Sequence, residues 1–174
     1  MPFLIAAVVL VGAIAVLNLL LTMAVIRRLR KNESAMSPMM ESGPPKGSPV
    51  PEFTAEATDG TTVTAASFAG QSAVMAFFST TCSACKPAVP RLVAHIDANG
   101  LKPQQVVAVI NGEGDEQAEF TELLKDKATV VWESEMGEVT AAFTVSAFPT
   151  FVHIGSDGKV DKSHSGANEL AGAA

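Results

Sequence analysis

The chain contains few of the residues that hold metal ions. It has two cysteines, Cys82 and Cys85, and three histidines, at positions 95, 153 and 164. Structural zinc usually takes four cysteine or histidine ligands, and none of these histidines stands in a paired ligand spacing. The sequence therefore predicts no metal site, although a zinc site remains an open alternative. A purely structural disulfide is a second alternative, but a loop of two residues closes little chain and stabilises little.

Charged side chains are absent from the first 26 residues. Between Phe3 and Ile26 the only polar side chains are Asn18 and Thr22, and the basic stretch RRLRK follows at 27–31. A bilayer core of about 30 Å needs an apolar helix of about this length. A cleaved signal peptide would carry a basic region before the apolar run, and none is present. The sequence predicts a membrane anchor over 1–31, a flexible linker over 32–51 and a folded domain over 52–174.

Basic residues are in deficit after the predicted anchor. Eight basic and 18 acidic residues follow position 31, a formal net charge of −10. A domain this acidic is poorly suited to bind nucleic acid or anionic lipid surfaces. The basic cluster at 27–31 would place the domain in the cytoplasm by the positive-inside rule. A tethered cysteine pair is most useful on the outer side of the membrane, where disulfides persist, so orientation stays open.

The cysteines lie in VMAFFSTTCSACKPAVP, at 74–90. An apolar run predicts a strand at 73–79, and helically spaced apolar residues predict a helix from Cys82 to about Ala98, ending at Asn99-Gly100. Cys82 would then lie at the start of a helix, where unpaired N–H groups and the helix dipole stabilise a thiolate. Cys85, one turn later, lies within reach for a disulfide. The spacing favours reversible dithiol chemistry.

Other patterns predict alternating strands and helices. Asp59-Gly60 between β-forming residues predicts a hairpin near 53–64, and apolar runs predict strands at 106–110, 129–132 and 150–154. Helices are predicted at 115–126 and at 135–143, the second capped by Ser134 and burying Met136. Trp132, the only tryptophan, is predicted to lie in the core. Lys159 to Ser163 forms the last predicted strand.

Four stretches together resemble a known family. They are GSPVPEFTAEATDGTTVTAASFAG (47–70), VMAFFSTTCSACKPAVPRL (74–92), VVAVING (106–112) and VSAFPTFVHIGSDGKV (145–160). The chain resembles the membrane-anchored thiol–disulfide oxidoreductases of the TlpA/ResA type, which have the thioredoxin fold. This resemblance implies an α/β fold with a central mixed sheet and helices on both faces, behind one transmembrane helix.

The resemblance also implies roles for individual residues. Cys82 would be the nucleophile and Cys85 the resolving thiol, with no cofactor besides their disulfide. Phe148-Pro149 would be a cis peptide that faces the disulfide and binds the partner strand. Between and after the cysteines, three residues would tune the potential or shape the helix: Ser83, Ala84 and Pro90. The partners would be protein dithiols or disulfides and an electron donor, and the protein would reduce disulfides outside the plasma membrane.

Departures from the family pattern keep other functions open. Thr81 replaces the usual tryptophan, and Ala76 stands where the family often has an acid or asparagine, which leaves Glu113 as a substitute proton acceptor or a solvated loop acid. A peroxiredoxin-like thiol peroxidase would have Pro and Thr where Met75 and Ser79 stand. A non-enzymatic metallochaperone or adaptor on a thioredoxin scaffold is the third reading, because a fold does not fix a function.

Overall fold

The computed structural model describes residues 12, 15–19, 21–23 and 42–172, without the side chains of residues 169, 171 and 172. The chain divides into two units, Met1–Met40 and Glu41–Ala174. The described residues of the first unit are helical and exposed. Within the described ranges, no helix is long and apolar enough to cross a bilayer. Most of the predicted anchor at 1–31 lies outside the described residues.

Over the described residues 42–172, the second unit contains seven strands and three α-helices. The strands are β1 (Thr54–Glu56), β2 (Thr62–Thr64), β3 (Ala73–Ser79), β4 (Val106–Asn111), β5 (Thr129–Glu133), β6 (Thr150–Ile154) and β7 (Val160–Ser165). The helices are α1 (Cys85–Asn99), α2 (Asp115–Leu124) and α3 (Glu138–Ala142). Short 3₁₀ helices cover Ala65–Phe68, Pro103–Gln105 and Ala167–Gly172.

Five strands form a mixed sheet in the order β5-β4-β3-β6-β7. Strands β3, β4 and β5 run parallel, whereas β6 pairs antiparallel with β3 and β7. Strands β1 and β2 form the predicted hairpin, with Ala55 opposite Val63. This arrangement confirms the α/β fold with a central mixed sheet that the sequence resemblance implies.

The central strand β3 shows why both faces of the sheet are covered. All seven of its residues are buried, as expected for a strand with helices on both sides. Its alternate residues enter two cores: Phe78 packs with residues of α1 and α2, and Phe77 packs with residues of α3 and the hairpin. Ring contacts extend both cores, Phe78 to Phe120 at 5.6 Å and Phe77 to Phe143 at 5.4 Å between centroids. The continuous apolar run therefore forms the spine of the unit.

The region after β5 differs from the sequence prediction. Helix α3 begins at Glu138 with Gly137 as its N-cap, three residues later than predicted, and Ser134 does not cap it. Met136 is 63% exposed and Trp132 is 47% exposed, so neither belongs to the core. Strand β5 is an edge strand, so solvent can reach Trp132. The indole N–H of Trp132 donates to the Thr121 hydroxyl at 2.9 Å.

Residues 42–51, which the sequence assigns to a linker, are hydrogen-bonded to the folded unit. The Gly47 N–H donates to the Val160 carbonyl at 2.7 Å, and the Val160 N–H donates to the Ser48 carbonyl at 2.9 Å. Farther along, the Val50 N–H donates to the Gly158 carbonyl at 3.2 Å. We call residues 42–50 the strap. Backbone hydrogen bonds hold the strap in place. Such bonds need no periodic pattern of apolar residues, so the sequence pattern does not predict them.

Candidate functional site

The two cysteines lie between the end of β3 and the start of α1. Cys85 is the first residue of α1, with Ala84 as N-cap, so the prediction that the helix begins at Cys82 is wrong by three residues. Cys82 lies in the preceding turn, where its N–H donates to the Ser79 carbonyl at 3.2 Å. Its own carbonyl accepts the Cys85 N–H at 3.1 Å. Both cysteines are free thiols, and the turn places them on one short segment.

Cys82 contacts a loop that is distant in the chain. Its Sγ donates a hydrogen bond to the Phe148 carbonyl at 3.3 Å. The Phe148-Pro149 peptide bond is cis, which confirms the geometry that the resemblance implies. Strand β6 begins at the next residue, Thr150, and pairs with β3. The pairing of these two strands therefore brings the loop before Pro149 to the cysteine.

Cys85 occupies a very different environment. Its side chain has no exposed surface, whereas Cys82 is partly exposed. Burial raises the pKa of the Cys85 thiol to about 12, the neighbouring Cys82 contributes in the same direction, and the Ser79 N–H, 3.4 Å from the sulfur, opposes the shift. Cys85 is therefore protonated at neutral pH. An external disulfide can reach only Cys82.

A cleft of about 410 Å³ opens beside Cys82. Its walls come from the segment after β3 and from the loop before Pro149, and Asn111, Glu135 and Met136 complete the lining. Met136 has a φ of 56°, in the left-handed region, and its side chain is largely exposed. An exposed apolar side chain therefore lies at the edge of the cleft that contains the Cys82 thiol. Sequence reasoning missed Met136 because helical spacing assigned it to the core.

Asn111 links the cleft to a buried polar network. It is the last residue of β4, lies opposite Ser79 in the sheet and is 1% exposed. Its Oδ1 accepts the Thr140 hydroxyl at 2.9 Å, and its Nδ2 donates to the Phe78 carbonyl at 3.4 Å. The amide thus connects β3, which leads to the cysteines, with α3. The apolar run before Asn111 predicts a strand but gives no sign of this link.

Glu133 completes the network from the end of β5. Its carboxylate accepts the backbone N–H of Val139 at 2.6 Å and that of Thr140 at 3.1 Å, and it lies 2.7 Å from the Thr140 hydroxyl. The carboxylate therefore caps α3. Because a hydroxyl carries one proton, Glu133 and Asn111 compete for the same donor. Glu133, rather than Glu113, is the acid connected to Asn111.

Glu113 lies in a neighbouring cleft of about 510 Å³ and is exposed. Glu116 and Glu135 also line this cleft, and among the described residues no basic side chain lines either cleft. Glu135 lines both clefts, so one acidic side chain and the apolar Met136 lie beside Cys82.

The other residues that the sequence singles out lie close to the cysteines. Ser83 and Ala84 are exposed in the turn between them, and Pro90 is exposed within α1. Ala84 and Pro149 line a third groove, of about 250 Å³. The structure thus brings the turn and the proline loop together, while Pro90 lies farther along the helix.

The ring of His153 contacts the rings of both other histidines. The ring centroids of His95 and His153 are 5.3 Å apart, and His164 stacks on His153 at the same distance. These residues lie on α1, β6 and β7. Across the described residues, no group of three or more His, Cys, Asp or Glu side chains is arranged to hold a metal ion.

Solved structures share this fold. A thioredoxin domain of a thiol-disulfide oxidoreductase from Bacteroides vulgatus is 19% identical, with a TM-score of 0.62 over 74% of this chain and 94% of that one. MTB DsbF, in its mixed oxidized and reduced forms, is 22% identical, with a TM-score of 0.59 over 70% and 89%. A thio-disulfide isomerase from Thermus thermophilus is 23% identical, with a TM-score of 0.57 over 71% and 87%.

At these identities the structural similarity establishes the fold. A search of curated protein sequences returns no significant match. The Redoxin family model matches residues 45–173, which include most of the strap, both cysteines and the proline loop. The chain therefore belongs to the Redoxin family.

Proposed function

We propose that the protein is a thiol–disulfide oxidoreductase whose Cys82 and Cys85 thiols undergo thiol–disulfide exchange with disulfides of partner proteins. One observation carries the proposal. The partly exposed Cys82 thiol, which is hydrogen-bonded to the Phe148 carbonyl in an open cleft, lies three residues from the fully buried Cys85 thiol. Its membership of the Redoxin family supports the same chemistry. The residue roles come from accessibility and from the family resemblance.

The exchange proceeds in two balanced steps. The Cys82 thiolate attacks one sulfur of a partner disulfide, the partner S–S bond breaks, and the second partner sulfur leaves as a thiolate that takes up a proton. Cys85 then loses its proton and attacks the Cys82 sulfur, which releases the first partner sulfur and forms the Cys82–Cys85 disulfide. Two electrons and two protons pass to the partner. A dithiol protein must supply them again in the next cycle.

The direction of the reaction rests on the resemblance, which favours a reductase. Ser83 and Ala84 would influence the potential through their position between the sulfurs. Phe148 and Pro149 would contact the bound partner segment, since they lie beside the attacking sulfur. In this proposal neither a metal nor a diffusible cofactor takes part.

Cysteine-to-serine variants test the proposal. We expect Cys82→Ser to abolish reduction of insulin disulfides, because the accessible nucleophile is lost, and Cys85→Ser to accumulate a mixed disulfide, because nothing resolves it. Dithiothreitol supplies the electrons, and non-reducing electrophoresis with mass spectrometry detects the adduct. Normal turnover by Cys82→Ser would refute the assignment. Peroxide consumption by Cys85→Ser would instead support the peroxidase alternative.

The location of the domain is part of the proposal. The apolar segment at 1–31 would tether the domain to the plasma membrane, and the resemblance places the domain outside the cytoplasm, where disulfides persist. The basic cluster at 27–31 argues for the opposite orientation. An impermeant maleimide added to intact cells distinguishes the two. Labelling of Cys82 would agree with an outer domain, and protection until lysis would place it inside.

A further inference from the structure

The first described residue of the folded unit contacts the loop beside the active cysteine. Ser42 is 1% exposed although it lies in the segment that the sequence assigns to a linker. Its Oγ accepts the Ser146 N–H at 3.0 Å and the Ala147 N–H at 3.2 Å. These donors are more than 100 residues away in the chain. One hydroxyl therefore satisfies two successive amides of a loop that contains no helix or strand.

A second hydroxyl extends this contact to β6. The Oγ of Ser42 and the Oγ1 of Thr150 are 2.8 Å apart. Thr150 also donates to the Ala147 carbonyl at 2.7 Å and is fully buried. Ser42 and Thr150 thus both bind the part of the loop that precedes the Phe148-Pro149 peptide, at Ser146 and Ala147. The loop cannot shift without breaking its part-buried hydrogen bonds to two buried hydroxyls.

The residues after Ser42 fix its position. The Gly43 N–H donates to the Thr144 carbonyl at 3.4 Å, and the Ser163 hydroxyl donates to the Pro44 carbonyl at 2.6 Å. Gly43 has a φ of 101°, and a Cβ there would lie 3.0 Å from Cβ of Ser163. Only glycine fits both this conformation and this approach to β7. The strap is therefore seated closely enough to hold the Ser42 hydroxyl in one place.

The loop that Ser42 holds is a wall of the reactive cleft. The cleft is lined by Cys82 and by three residues of this loop, Ser146, Ala147 and Phe148. The Phe148 carbonyl accepts a hydrogen bond from the Cys82 thiol. We propose that Ser42 is a positioning residue for disulfide exchange, which fixes this loop so that a partner segment meets Cys82 in a defined orientation. This inference rests on the proposed function. It assigns a role in substrate alignment to one residue of the strap, upstream of the predicted domain.

Ser42→Ala in the full-length protein tests the role, with Ser48→Ala as the matched control. Ser48 is also in the strap, but within the described part of the chain its hydroxyl bonds only to the Pro45 carbonyl, at 2.7 Å. For Ser42→Ala we expect KM for a protein disulfide such as insulin to rise roughly tenfold, because small misalignments at a reacting centre have large effects. Reaction of Cys82 with Ellman's reagent, a small disulfide that needs no alignment along the loop, should change less than about twofold. Ser48→Ala should match the wild type in both assays.

A purely structural role predicts a different result. If Ser42→Ala lowers the melting temperature but leaves the ratio of the two reactivities at the wild-type value, the proposal is wrong. Hydrogen exchange on the wild-type protein gives a measurement that does not depend on the variant folding. The amides of Ser146 and Ala147 should be protected, and exchange at the rate of unstructured amides would also overturn the proposal. A wild-type protein that reduces no disulfide would refute the proposed function instead.

Discussion

Two thiols three residues apart occupy environments that suit opposite tasks. Cys82 is partly exposed and hydrogen-bonded to a backbone carbonyl, whereas Cys85 is fully buried beneath the turn. The first attack requires a thiolate that a partner can reach, and resolution requires that the second sulfur lose its proton and reach the first. The difference in burial therefore decides which sulfur meets the partner first.

The raised pKa of Cys85 predicts how this thiol reacts with iodoacetamide. In Cys82→Ser, alkylation of Cys85 should stay slow from pH 7 to pH 9 and should accelerate only as the pH approaches 12, because burial disfavours the thiolate below that value. Mass spectrometry of quenched samples measures the rate. Cys85→Ser, which keeps Cys82, is the comparison. Equal rates for the two variants at pH 7 would contradict the assigned environments.

At the scale of the element, the short helix α3 depends on a residue of the preceding strand. Five residues are too few for a helix to be stable alone, and its first N–H groups need acceptors. The Glu133 carboxylate is the acceptor for the backbone N–H groups of Val139 and Thr140. The same helix places Thr140 against Asn111, which lines the Cys82 cleft. The cap therefore supports one side of the candidate site.

Removing the charge of this cap should destabilise the protein measurably. Glu133→Gln keeps the shape of the side chain but replaces an oxygen by an amide group that cannot accept the N–H bonds. We expect the free energy of unfolding to fall by about 1–2 kcal/mol in urea titrations at pH 7. Glu138→Gln, which removes an exposed acid from the first turn of α3, is the control and should cost about 0.3–1 kcal/mol. Equal losses in the two variants would show that the cap adds nothing specific.

At the scale of the whole molecule, three histidines join α1, β6 and β7. His95 also bonds to the Leu170 carbonyl at 3.2 Å, so the same cluster reaches the C-terminal 3₁₀ helix. Burial lowers the pKa of His153 to about 4, and repulsion from His164, His95 and Lys162 acts in the same direction. The folded protein therefore keeps His153 neutral over a pH range in which the unfolded chain is protonated.

This shift predicts that stability depends on pH. In the unfolded chain His153 has a pKa of 6.5, whereas in the folded protein it binds a proton only near pH 4. The contribution of neutral His153 to the free energy of unfolding is therefore fully present above pH 6.5 and is lost as the pH falls towards 4. The loss is at most about 3 kcal/mol, less any screening at a partly exposed ring. His153→Phe keeps the stacked ring without the titration. Its free energy of unfolding should fall less than that of the wild type between pH 7 and pH 4.5, and parallel curves would refute the prediction.

Much of the fold follows from local patterns. The continuous apolar run at 73–79 predicts the central strand, Asp59-Gly60 predicts the hairpin, and Gly100 ends α1 with a φ of 61°. Each of these features depends on a few adjacent residues and their backbone preferences. The start of α1 and the start of α3 are predicted three residues too early. A tight turn before Cys85 and the Glu133 cap, respectively, set these limits.

The sequence alone determined the strand-turn-helix order around Cys82 and Cys85, because spacing and turn chemistry act between neighbours in the chain. Tertiary structure decided the rest of the site. The Phe148 carbonyl meets Cys82 across 66 residues, Thr140 meets Asn111 across 29, and Ser42 meets Ala147 across 105. No local pattern encodes such contacts, since they form only when the sheet brings distant strand ends together. The exposure of Trp132 was decided in the same way, because the packing left β5 at an open edge of the sheet.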